Sequence, residues 1–185
     1  QYGYDVERAK QLLAESGWVD DGSLKLTYIS EAESTLGPIV TQMKADLAAI
    51  GVEIQLDPIP QTQFGDRVLV KRDLPFFVNA NEKPIGVDAG YATLLFFVST
   101  AQGGLNNMVS YESKVVDDLW AQAKTDPSVE SRDALLAQVQ KQLQEDVAWA
   151  PVVQYDNQWI SAPGLSGLVL HPDNSVHFSD LELTN

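Results

Sequence analysis

Residues 24–56 read LKLTYISEAESTLGPIVTQMKADLAAIGVEIQL. Leu24 to Ile29 alternates apolar and polar side chains behind the turn Asp20-Asp21-Gly22, the period of two that marks a strand. Ile39, Met43, Leu47 and Ile50 then recur at spacings near four, which predicts a helix from about Pro38 with Gly51 as its terminator. Val52, Ile54 and Leu56 alternate again as a strand. Strand, helix and strand in so few residues is the size of a βαβ unit, so the economical topology is a parallel pair joined by a right-handed crossover. The fold class expected from this stretch is α/β, a mixed sheet flanked by helices.

On the N-terminal side, Asp5 followed by Val6, Ala9, Leu12, Leu13 and Gly17 predicts an N-capped amphipathic helix closed by glycine. On the other side, Phe64, Val68 and Leu69 give residues 61–71 helical spacing, and residues 75–79 look like a further strand. Clean periodicity then fails from Ala80 to Asn107, where Asn, Gly, Asp and Pro crowd around the apolar run Tyr91 to Val98, itself strand-sized. Two helices are expected next: 113–123, carrying Val115, Val116, Leu119 and Trp120, and 127–146, carrying Leu135, Leu136, Val139 and Leu143. Asp126-Pro127 suits the start of the second, with proline in the first helical position. A hairpin around Asp156-Asn157 and weak alternation up to Leu183 complete the chain.

With 185 residues and no internal repeat or linker, the chain reads as a single lobe over 1–185, long enough to bury roughly 70% of its unfolded surface. It contains no cysteine, which excludes a disulfide scaffold and thiol catalysis. Against 26 Asp and Glu stand 12 Lys and Arg, a net charge of −14, and the absence of basic runs argues against nucleic acid and anionic membranes as partners. No apolar run reaches the ~18 residues that would span a bilayer. Beginning at Gln1 without an initiator methionine, the chain reads as a mature or trimmed piece.

Chemistry-bearing motifs are few. His171, Asp173 and His177 have a spacing that matches no zinc signature, so no metal is expected. There is no G-x-S-x-G nucleophile turn, dinucleotide fingerprint or phosphate-binding loop, and Gly103-Gly104 reads as a turn. The expectation is a protein without cofactor that is not an enzyme. What remains is the loop-rich middle: Asn79, Asn81, Asp88, Tyr91, Asn106, Asn107 and Tyr111 combine amides, one carboxylate and two phenols. That is the inventory with which a small-molecule cleft orients a polar solute, and these seven are the candidate ligand-binding residues. Two other readings compete. One is a small acidic hydrolase with a carboxylate-lined cleft; the other is a protein interaction module, if the run at Phe96-Phe97 is exposed.

Several blocks, in order, resemble a known family. Tyr4-Asp5, Ala9, Leu12-Leu13-Ala14 and Gly17 resemble the YDPEKAKALLAEAG segment of the dipeptide/oligopeptide-type (family 5) extracellular solute-binding proteins of ABC transporters. Leu47, Ile50-Gly51-Val52 and Ile54 are similar to that family's helix-then-strand block. Asn107, Tyr111, Val115 and Asp117 are similar to its N, Y and V-D block, with Val116 inserted. Residues 132–146 followed by Ala150-Pro151, and Gly164 or Gly167, match later positions.

The resemblance implies the second, C-terminal lobe of a periplasmic-binding-protein-like fold. It implies a parent in the periplasm or on the outer face of the cell membrane, whose two lobes close on a solute and deliver it to ABC permease subunits. The N-terminal lobe of the same protein would be the other wall. In that family's peptide binders an aspartate before an x-D-P or x-E-P element holds the peptide's α-amino group, whereas here the stretch is Asn79-Ala80-Asn81-Glu82-Lys83-Pro84. An amide would not neutralise a buried ammonium. Glu82 or Asp88 could stand in, and the solute expected is small and polar: a peptide, a sugar or an opine-like metabolite.

Overall fold

In a computed structural model, residues 3–80, 89–153, 160–169 and 178–183 are described. The chain falls into two compact units, 1–80 and 81–185, where the sequence reads as one lobe. Each is taken by itself.

The first unit is built on the 24–56 stretch. Strands β1 (Lys25–Ile29) and β2 (Gln55–Ile59) pair in parallel, Lys25 opposite Gln55 through Ile29 opposite Ile59. The expected strand at 75–79 is reduced to one parallel bridge, Thr27 with Phe77, held by Thr27 N–H to the Phe76 carbonyl (3.1 Å) and Val78 N–H to the Thr27 carbonyl (2.9 Å). β1 is therefore central, and Leu26, Thr27 and Tyr28 are all buried. β2 lies at an edge, which is where its Pro58 can sit without breaking a ladder. Helix α1 (Val6–Ser16) matches the expectation at both ends: Asp5 accepts from Arg8 N–H at 2.9 Å, and Gly17 takes a left-handed φ of 68°.

Helix α2 (Glu33–Ala48) begins five residues before the expected Pro38. Proline was read as a first-turn residue; it sits inside the helix instead, forgoing one bond to the carbonyl of exposed Ser34. Gly37 beside it makes room for Glu33, whose carboxylate a β-carbon at 37 would meet at 2.7 Å. Glu33 uses that room to accept from the Tyr28 hydroxyl at 2.6 Å. α2 lays Leu36 and Val40 on Leu26 and Tyr28, and Val52 and Ile54 close the cluster. Those last two were expected as strand. They form the return from the helix, after Gly51 at φ 88°, and pairing starts only at Gln55.

Residues 61–71 are helical as expected, a short α3 (Gln61–Gly65) running into a π-helical turn, Asp66–Lys71, that buries Phe64 and Val68.

In the second unit the apolar run is not a strand: α4 spans Ala89–Phe96. Gly90, Thr93, Leu95, Phe96 and Val98 are all buried, and a helix apolar nearly all round shows no period by which a sequence could reveal it. Phe96 and Phe97 pack on Trp149 with ring centroids 5.0 and 5.2 Å away, so the exposed aromatic patch that an interaction module would need is absent there. α5 (Lys114–Ala123), capped by Ser113, packs against α6 (Val129–Glu145) through Val116, Ala123, Leu136 and Val139.

The cap of α6 is Ser128, two residues after the expected Asp126-Pro127 start. Asp126 instead holds the turn, accepting from Ser128 N–H at 2.9 Å and the Ser131 hydroxyl. β3 (Leu165–Ser166) and β4 (Glu182–Leu183) form a short antiparallel pair, so parallel and antiparallel pairings occur in two small sheets, one per unit, among the described residues. The α/β class stands. The hairpin expected around Asp156-Asn157, together with His171, Asp173 and His177, lies outside the described residues.

Candidate functional site

The candidate rim is the loop between α4 and α5. It leaves α4 through a 3-10 turn, Thr100–Gln102, reverses at Gly103 (φ 95°) and packs Gly104 so tightly on the Val98 carbonyl that a β-carbon there would overlap it. Asn106 is half-buried and tied by its backbone N–H to the Leu95 carbonyl at 2.7 Å.

Asn107 is only 1% exposed. Its carboxamide clasps the backbone of Tyr111 from both sides: Oδ1 accepts from Tyr111 N–H at 2.9 Å, and Nδ2 donates to the Tyr111 carbonyl at 2.5 Å. Ser110, inside this clasp, has φ 53°, the left-handed region that only a tightly held loop imposes on such a residue. The Tyr111 hydroxyl reaches out of the loop to donate to Asp146 Oδ2, on the residue that ends α6. Asp146 Oδ1 accepts from the Gln142 amide at 2.9 Å. Desolvation, and then the bond to Asp146, pushes the Tyr111 phenol up to about 12. The same bond, with help from Gln142, holds the Asp146 carboxyl below its usual value.

Of the seven sequence-predicted residues, then, Asn106, Asn107 and Tyr111 come together in one loop, and Tyr91 stands 46% exposed on α4 of the same unit. Asn79, half-buried, belongs to the first unit. Asn81 and Asp88 lie outside the described residues.

Sequence reasoning did not single out Asp146, and it missed a shallow open cleft of about 470 Å³ beside the loop. Glu112, Asp117 and Asp118 face Lys114 and Ser99 there, and none of the seven predicted residues lines it. Asp117 is already engaged by Ser99 N–H at 3.0 Å, and Lys114 by Asp118. A signal for Asp117 existed in the V-D block; none existed for the cleft, which is made by the meeting of a 3-10 turn and a helix. Among the described residues no group of three acidic or histidine side chains is placed to hold a metal ion.

The fold is similar to part of several solved substrate-binding proteins. A peptide-binding protein AppA from Clostridium difficile superposes with a TM-score of 0.75, covering 99% of this chain and 38% of that one at 20% identity. By sequence the chain is similar to the periplasmic murein peptide-binding protein MppA of Escherichia coli, 27% identical over 93% of this chain and 31% of that protein. It is likewise similar to the di/tripeptide-binding protein 2 of Pseudomonas aeruginosa, 26% identical over 97% of this chain and 34% of that protein. The chain thus spans about a third of the length of the curated relatives it matches. No family model matches it. The relatives are binding proteins, periplasmic in the case of MppA, and among the described residues of this chain no helix is long and apolar enough to cross a membrane.

Proposed function

We propose that this chain is the C-terminal lobe of the solute-binding component of an ABC importer, located in the periplasm or on the outer face of the cell membrane. The complete protein would close two lobes around a short peptide, or another small polar solute, and present it to permease subunits. The observation that carries this reading is the extent of the likeness: more than nine-tenths of the chain aligns with two peptide-binding proteins, in a fold shared with a third. Binding rather than catalysis suits the loop chemistry. Among the carboxylates beside it, Asp117 accepts from Ser99 N–H, Asp118 pairs with Lys114 and Asp146 accepts from the Tyr111 hydroxyl, so these three serve the local structure.

In this reading Tyr91, Asn106 and Tyr111 supply hydrogen bonds and ring walls to the solute, while Asn107 shapes the loop that bears two of them; Asn79, Asn81 and Asp88 stay candidates on the sequence alone. Lobe closure follows because contacts to both walls exist together only in the closed state, so the solute shifts a pre-existing population. Titration calorimetry on the full-length parent, with di- and tripeptides beside sugar and opine panels, tests it. Saturable binding of one of these classes is expected. Turnover of a glycan or peptide, or no binding by a correctly folded parent, overturns the reading.

A further inference from the structure

We infer that Asp146 is a positioning residue for the rim: its carboxylate, on the end of α6, fixes Tyr111 and with it the loop 105–111 before any solute arrives. The inference rests on the reading that this loop faces the solute. An irregular loop costs conformational entropy to hold, and a rim that is ordered only on binding loses affinity by that amount. Here three anchors order it in advance: Asn106 N–H on the Leu95 carbonyl, the two-sided Asn107 clasp on Tyr111, and the Tyr111 hydroxyl on Asp146. The first two lie within the loop or against the helix just before it. The third ties it to a distant element, thirty-five residues along the chain.

Two unfavourable features converge on that third anchor. A carboxylate at the C-terminal end of a helix opposes the helix dipole, and Asp146 is such a residue. Val147, next in the chain, has φ 50°, a left-handed conformation that a β-branched side chain resists. The helix nevertheless closes around them, with Val147 N–H on the Gln144 carbonyl and Ala148 N–H on the Leu143 carbonyl at 3.2 Å. Local propensity accounts for neither residue. At this helix end the Asp146 carboxylate meets the Tyr111 hydroxyl.

Hydrogen exchange and trialanine binding on the full-length protein carrying Asp146→Ala, Tyr111→Phe or Asp146→Asn test this. Losing one hydrogen bond to a charged group should speed exchange of the 106–111 amides about tenfold or more in the first two variants and weaken trialanine binding by a similar factor. Asp146→Asn keeps an acceptor and should restore both. Unchanged exchange in Asp146→Ala and Tyr111→Phe overturns the positioning role whatever the affinities do. Faster exchange with unchanged affinity overturns it as well, since the loop would then be ordered for some purpose other than the rim. If the parent fails to bind trialanine at all, the peptide option within the solute-binding reading is what suffers, and the exchange arm still decides whether Asp146 orders the loop.

Discussion

Asn107 and Val147 illustrate what a single position can and cannot disclose. An asparagine in a loop offers a donor and an acceptor, and the sequence cannot distinguish an amide that meets a solute from one that completes its own loop; only the burial of Asn107 and its bonds to Tyr111 do so. Val147 carries no warning either, because its left-handed backbone is imposed by what surrounds it. Replacing it by glycine should relieve about 1 kcal/mol of backbone strain and raise the melting temperature, read by calorimetry; a fall would mean that its side chain packs more usefully than its exposure suggests. Gly104→Ala works in the opposite direction, since the new methyl overlaps the Val98 carbonyl, and loss of folded protein is expected. Two hydrogen-bonded phenols, Tyr28 buried and Tyr111 half-buried, give a pH signature. Tyr28, held by its bond to Glu33 and by burial, and Tyr111 both titrate near 12 instead of near 10. Because the folded values lie above the unfolded one, the stability they contribute is complete below pH 10 and is lost between about 10 and 12. Phenolate absorbance should show Tyr28 and Tyr111 titrating late, with unfolding following them.

At the scale of elements, legibility followed the physics of the signals. The cap at Asp5 was readable because its side chain bonds its own helix end, and that chemistry is local, whereas Ser113, expected as the first helical residue, turns out to be the cap of α5. The βαβ stretch was readable because its apolar periods are long. Pro38 misled because proline at a first turn is commoner than proline tolerated on an exposed helical face, and α4 misled because a helix buried on nearly all sides has no polar stripe to count. The bridge at Phe77 needed a partner strand fifty residues away, which no local pattern supplies. Ser128→Ala should cost about 1 kcal/mol by removing the bond to Ser131 N–H (3.2 Å), and since Asp126 leans on the same turn the loss should appear first in α6, by helical circular dichroism on warming. Leu26→Ala empties the centre of β1 against α2 and should cost about 2–5 kcal/mol by denaturant titration; a loss below 1 kcal/mol would show that the neighbours collapse into the space.

For the molecule as a whole, charge is the quantity that composition fixes and the fold must live with. A net −14 repels itself, while the ion pairs described are all at least partly solvent-exposed and individually worth little. Added salt screens both, but fourteen uncompensated charges outweigh a handful of weak pairs, so raising ionic strength from 0.01 to 0.15 M, which shortens the screening length from about 30 to about 8 Å, should raise the melting temperature. Acid acts through two opposed effects. Protonating ordinary carboxylates relieves repulsion, whereas Asp21, Glu31, Asp126, Glu130 and Asp146 have folded values below their unfolded ones. The stability those five contribute is present above the unfolded carboxylate value and disappears as pH falls through the folded one. Stability should therefore climb as pH falls into the upper part of the carboxylate range and repulsion eases, pass a maximum there, and drop once the loop-holding acids with lowered folded values are protonated. A melting temperature that declines steadily from pH 7 downward, or that falls with added salt, would mean that specific ion pairs rather than net repulsion govern this acidic chain.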